Sequence, residues 1–158
     1  MNNTNGKKEY FLTKDGVDKL KEELDDLTGN QRQKIAVKLR EAKEYGDLSE
    51  NIQWDDAKDQ QAFVEGRIAE IEHILKHAQI IESPRKKDAV DLGTTVHVEL
   101  EEGKQVYMIV GSTEANPEEG KISNESPIGQ ALMGKRAGEE VEVSVPSGKM
   151  VFKILKIE

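Results

Sequence analysis

Two apolar stripes at helical spacing constrain this chain more than any other feature. Thr13-Lys14-Asp15-Gly16 supplies polar capping candidates, and Val17, Leu20, Leu24 and Leu27 then recur at the interval of one helical face. A helix therefore begins near Thr13 to Asp15. The rhythm weakens at Thr28-Gly29-Asn30-Gln31 and resumes with Ile35, Leu39 and Ala42, so without a proline to end the helix the seam loosens or shifts phase. Ala57, Gln60, Val64, Ile68, Ile71, Leu75 and Ala78 make a second stripe of the same period, and the faces opposite both stripes are charged. The link between them, Lys43 to Asn51, is short, acidic and contains Gly46. Such a pair predicts an antiparallel helical hairpin, a coiled coil in which each arm covers the other's seam. At roughly 1.5 Å per residue, about thirty residues per arm give a rod of about 45 Å.

A hairpin of that kind buries too little to be a whole protein. The composition agrees: 158 residues with 34% charged, 35% hydrophobic and 4% aromatic side chains are lean for one compact core, so an elongated part beside a small globule is expected. The texture changes at Ser83-Pro84-Arg85-Lys86-Lys87, because proline disfavours helix in the residue before it. This divides the chain into residues 1–82 and 83–158. In the second part Val96, Val98 and Leu100 alternate with His97 and Glu99, and the turn Glu101-Glu102-Gly103-Lys104 leads into Gln105 to Val110, a β-hairpin. Ser126 to Met133 reads as a short helix entered at Pro127 and ended at Gly134. Val141, Val143 and Val145 alternate next, Pro146-Ser147-Gly148 turns, and Met150, Phe152 and Ile154 close the chain. The fold class is α+β: the hairpin, and a small C-terminal domain with one helix across a sheet face.

Charge and composition narrow the function. A formal charge of −8, with the acid excess spread over both parts, disfavours free binding to nucleic acid, which needs a clustered basic surface. The absence of cysteine excludes disulfides and thiolate metal sites. Met1 to Tyr10 has no apolar signal region and no apolar run approaches membrane-spanning length, so a soluble, cytoplasmic protein without membrane contact is expected.

The candidate chemistry lies in the link. Asp47 and Glu50 stand three apart at the start of the second arm, which is nearly a capping box that satisfies orphan N–H groups. The same two carboxylates at a hairpin apex, with Leu48 as their apolar companion, suit a hard cation such as Mg2+, which takes one or two carboxylates plus waters and phosphates from other molecules. Both uses are open on spacing alone. Other motifs fail. Gly129 to Lys135 matches Gly-x4-Gly-Lys, but Arg136 replaces the hydroxyl residue and the interior reads as helix. His73 and His77 have zinc-ligand spacing without a third ligand. Trp54, three residues before Ala57, reads as a seam anchor rather than a base-stacking platform.

Gly46-Asp47-Leu48-Ser49-Glu50-Asn51, then Ala57-Lys58-Asp59-Gln60-Gln61 and Glu65-Gly66-Arg67-Ile68, resembles the Gre family of bacterial transcript-cleavage factors, and within it the GreA subgroup. Ile122-Ser123-Asn124-Glu125-Ser126-Pro127-Ile128, Leu132-Met133-Gly134-Lys135 and Gly138-Glu139-Glu140-Val141 are similar to the same family's second domain. The resemblance implies a monomeric elongation factor, not itself an enzyme, whose hairpin enters the secondary channel of a backtracked RNA polymerase. Asp47 and Glu50 would help to hold the polymerase's second Mg2+ and orient the attacking water, no cofactor being bound by the factor alone. It also implies a basic patch toward the nascent RNA 3′ end at Lys43 and Lys58. An FKBP-like C-terminal fold would dock on the polymerase through Ser126, Pro127 and Ile128. The sequence departs from the family pattern at Ile52-Gln53-Trp54-Asp55-Asp56, where Asp55 and Asp56 would weaken attraction for RNA. Two rival readings are a prolyl isomerase or chaperone acting through the C-terminal domain, and a non-catalytic channel inhibitor of the polymerase.

Overall fold

A computed structural model describes residues 9–47, 50–82 and 88–158. The chain divides into two units, Val17–His77 and Met1–Gly16 with Ala78–Glu158.

The helical unit follows the stripes. Helix α1 (Lys14–Asp26) enters it from the other unit, a five-residue π-helical turn spans Leu27–Gln31, and α2 (Arg32–Glu44) and α3 (Ile52–His77) are its arms. The π-turn is the phase shift that the weakened pattern implies. The N–H of Arg32 reaches back to the Leu27 carbonyl, five residues away, and one extra residue in a turn rotates the following face by about 100°. Side chains hold the turn open: Thr28 Oγ1 donates to the Leu24 carbonyl at 2.7 Å, while the Asp26 carboxylate accepts from Asn30 Nδ2 at 3.1 Å and Gln31 Nε2 at 3.0 Å. Those bonds, from Gln31 first and Asn30 second, hold the Asp26 carboxyl below its ordinary pKa.

Cross-arm partners show the antiparallel course. Arg67 binds Glu23 through two bonds of 2.7 and 2.9 Å, Arg32 binds Glu65 through two of 2.7 and 2.6 Å, Lys38 Nζ donates to Gln60 at 2.7 Å, and Asn51 meets Ala42. Partner numbers rise on one arm as they fall on the other. Between these pairs Ile35, Val64 and Ile68 are buried, with Leu24, Leu27 and Leu39 packed against them. The buried side of α3 runs Ala57, Val64, Ile68, Ile71 and Ile74. Three members of the expected stripe therefore differ: Gln60 is only partly buried and binds Lys38, Ile74 rather than Leu75 is the buried residue because the last step is three residues and not four, and Ala78 already lies in a strand.

In the other unit, β1 (Tyr10–Leu12) pairs in parallel with β2 (Ala78–Ile80), joining segments far apart in sequence. The two compact units meet at Gly16 and Ala78, with this strand pair in the second. Ser83 to Lys87, where the sequence places its break, lies outside the described residues. A five-stranded sheet has the order β5-β4-β3-β7-β6, made of β3 (Thr95–Leu100), β4 (Gly103–Val110), β5 (Lys121–Ser123), β6 (Glu140–Val145) and β7 (Gly148–Ile157). The expected hairpins β3–β4 and β6–β7 are present, while β5 is unforeseen. Val96, Val98, Ile109, Val141, Val143, Phe152 and Ile154 fill one face, against which α4 (Pro127–Leu132) sets Leu132. The helix lies so close to β5 that a Cβ on Gly129 would stand 1.9 Å from the Ser123 carbonyl oxygen.

The root of α1 is tightly built. Glu114 accepts from the Thr13 N–H at 2.7 Å and from Thr13 Oγ1 at 2.6 Å, while Thr13 Oγ1 accepts from the Gly16 N–H at 3.1 Å as the helix cap. A Cβ on Gly16 would stand 2.2 Å from the Glu114 carboxylate, and one on Gly111 would stand 2.1 Å from the Phe11 carbonyl oxygen. Only glycine fits at Gly111, where the obstacle is backbone, while a Cβ at Gly16 would have to push the Glu114 carboxylate away from Thr13.

Candidate functional site at the hairpin apex

Helix α2 ends because the chain turns at Gly46, whose φ of 113° lies in the region that only glycine enters at low cost. Tyr45 closes the helix, its N–H bonded to the Ala42 carbonyl at 3.3 Å. Helix α3 starts at Ile52, and its cap is Asn51: Asn51 Oδ1 accepts from the Trp54 N–H at 3.2 Å and Asn51 Nδ2 donates to the Ala42 carbonyl at 2.7 Å. One side chain thus satisfies an orphan donor of one helix and gives the Ala42 carbonyl, near the end of the other, a second donor beside the Tyr45 N–H. The cap of the long helix is therefore Asn51, one residue beyond the Asp47-x-x-Glu50 pair. The spacing of Asn51 and Trp54 carried that signal in the sequence.

Asp47 and Glu50 are exposed at the apex and flank Leu48 and Ser49, which lie outside the described residues. They share one shallow concavity with Tyr45, Asn51, Ile52 and Gln53. The described residues contain no group of three or more acids or histidines that could hold a metal alone. Oxygen donors from two exposed carboxylates fit a hard cation whose other ligands come from elsewhere.

Lys43 and Lys58 are both exposed, one on each arm, and neither lines that concavity. Lys43 sits in the last turn of α2, where a cation suits the dipole. Lys58 donates to Gln61 Oε1 at 2.8 Å and lies 6.0 Å from the centre of the Trp54 ring, itself half-buried. In the sheet unit Ser126 Oγ caps α4, accepting from the Gly129 N–H at 3.0 Å and donating to the Ser123 carbonyl at 2.7 Å. Pro127 is exposed, and Ile128 packs partly against the core. The His73 and His77 rings lie 4.3 Å apart on α3, tilted by 39°, with His77 Nδ1 2.8 Å from the His73 carbonyl oxygen. Phe152 is fully buried, which removes it from any aromatic-lined peptide cleft. No described helix is long and apolar enough to cross a membrane.

Residues 10–80 match the family model described as "Transcription elongation factor, N-terminal", and residues 85–158 match "Transcription elongation factor, GreA/GreB, C-term". Together these define the class, a transcription elongation factor. The chain is 51% identical over 154 residues to the transcription elongation factor GreA of Clostridium acetobutylicum, covering 96% of this chain and 98% of that protein. It is 46% identical over 154 residues to GreA of Geobacillus kaustophilus, at 96% and 98% coverage. Among solved structures, the crystal structure of GreA factor homolog 1 (Gfh1) of Thermus thermophilus is 31% identical with a TM-score of 0.44, covering 96% of this chain and 99% of that chain. GreA/GreB from Nitrosomonas europaea is 20% identical with a TM-score of 0.41, at 94% and 98% coverage. The chain belongs to the GreA/GreB family of transcription elongation factors.

Proposed function

We propose that this elongation factor rescues backtracked RNA polymerase by presenting its hairpin apex, through the secondary channel, to the polymerase's active centre, where it stimulates cleavage near the RNA 3′ end. The observation that supports this most directly is the pair of exposed carboxylates, Asp47 and Glu50, in one concavity at the end of an antiparallel hairpin. Each offers oxygen ligands, and together they leave room for ligands from the partner. A Mg2+ ion held this way supplies an activated water and charge stabilisation for in-line phosphodiester cleavage. Asp47 and Glu50 hold their carboxylates at the apex, where either can accept a hydrogen bond from the attacking water and orient it. Lys43 and Lys58, one per arm, carry positive charge toward RNA phosphates on the flanks. Ser126, Pro127 and Ile128 form the contact at the channel rim, with Pro127 the exposed member. The polymerase remains the enzyme.

The test is an amide swap in the full-length protein, Asp47→Asn with Glu50→Gln. The swap preserves shape and hydrogen-bonding capacity while removing the charges that a hard cation requires. Added to a stalled, backtracked complex with Mg2+, wild-type protein shortens the RNA and the double variant binds the polymerase without shortening it. Cleavage by the folded double variant would refute the assignment of the acids. Slower elongation with no RNA shortening by wild type would favour the channel-inhibitor reading.

A further inference from the structure

We propose that Tyr45, with Ile52 opposite, is a stacking platform for the nucleobase at the RNA 3′ end, an inference that rests on the reading above. The motivating observation is an exposure that folding does not explain. Tyr45 is 79% exposed and Ile52 84%, and with Phe63 they are the most exposed large hydrophobic side chains among the described residues. Scattered single exposures are ordinary, but these two bracket the concavity that holds both carboxylates. The seam beside them is already closed by small residues: Ala42 and Ala57 are each 1% exposed. A ring and a branched aliphatic chain at the apex add nothing to that contact.

The ring is also well placed. Tyr45 is the capping residue of α2, its backbone bonded to Ala42, and Gly46 turns the chain immediately afterward so that Asp47 follows in the same concavity. Charge selects the occupant. Glu41 and Glu44 line a second hollow with Tyr45, so the ring sits between two acidic pairs. Carboxylates on both sides repel a phosphate, whereas the neutral face of a base tolerates them and its exocyclic amino groups are attracted. If the acids act at the scissile phosphate, the adjoining nucleoside is the apolar group nearest the ring. Stacking of this kind accepts any base and favours the larger purines.

The experiment uses full-length protein and a backtracked polymerase complex whose RNA ends in 2-aminopurine, a base that loses fluorescence when stacked. Wild type and Tyr45→Phe are expected to quench it. Tyr45→Ala is expected to abolish the quench and to slow cleavage about 5- to 150-fold, the fold-change that corresponds to loss of one base–aromatic stack. The amide swap at Asp47 and Glu50 is expected to quench without cleaving, which separates this inference from the assignment of the acids. Equal quenching by wild type and Tyr45→Ala would overturn the proposal. So would an equal loss of affinity by Tyr45→Ala for polymerase lacking RNA, because the ring would then face protein.

Discussion

Replacing Asn51 with alanine tests how the acidic turn is held. The substitution removes the acceptor for the Trp54 N–H and the donor to the Ala42 carbonyl. Loss of an N-cap of this type costs about 1 kcal/mol. The second bond contributes about 1 kcal/mol more, as a typical hydrogen bond does, with the Ala42 carbonyl keeping the Tyr45 N–H as its other donor at 3.3 Å. The sum, about 2 kcal/mol, falls on the ends of both arms. Trp54 is the only tryptophan in the chain and lies three residues past Asn51, so its fluorescence reports unfolding at this spot. With a urea slope of about 2 kcal/mol/M the midpoint moves down by about 1 M. Asn51→Ser keeps a capping oxygen but is too short to bridge to Ala42, so it loses about half as much. Because Asp47 and Glu50 lie between the two anchored ends, Asn51→Ala also lowers RNA cleavage more than it lowers polymerase binding. A midpoint and a cleavage rate indistinguishable from wild type would refute the view that one side chain joins the helix ends.

Gly16→Ala should destabilise the sheet unit by about 1 to 3 kcal/mol, because its Cβ would meet the Glu114 carboxylate at 2.2 Å and displace it from Thr13. In a Glu114→Ala background most of that penalty should vanish, which a double-mutant cycle by thermal unfolding would show. The hairpin should also weaken in acid. Hydrogen bonds from Arg32 hold the Glu65 carboxyl below its ordinary pKa. Its folded value is lower than its unfolded one, so its contribution is present above the ordinary carboxylate range and is lost as pH falls through the lowered value. Circular dichroism of helix content on acid titration should show a smaller change in Glu65→Gln than in wild type.

The helices were legible because their signals are local. Val17 to Ala42 and Ala57 to Ile71 carry the period of a buried face, and a short glycine-containing link leaves little choice but a hairpin. Alternating valines likewise marked both β-hairpins, and Ser126-Pro127 marked the entry to α4. The weak seam at Thr28 to Gln31 was visible, but only hydrogen bonding from Asn30, Gln31 and Thr28 made it a π-turn. Asp47 and Glu50 were visible as a pair, and their motif carried the family resemblance.

What the tertiary structure alone decided is non-local. Two three-residue strands have no periodicity to detect, and β1 acquires its identity only by pairing with β2 across the whole helical unit. The contacts of Gly16 and Gly111 involve partners distant in sequence, so neither glycine announces its need. At the apex, residue type suggested that Asp47 would cap the second arm. The actual helix start at Ile52 assigned the cap to Asn51 and placed Asp47 and Glu50 in an exposed concavity. Local spacing determines which groups lie near a turn; the course of the chain through it determines which of them face one another.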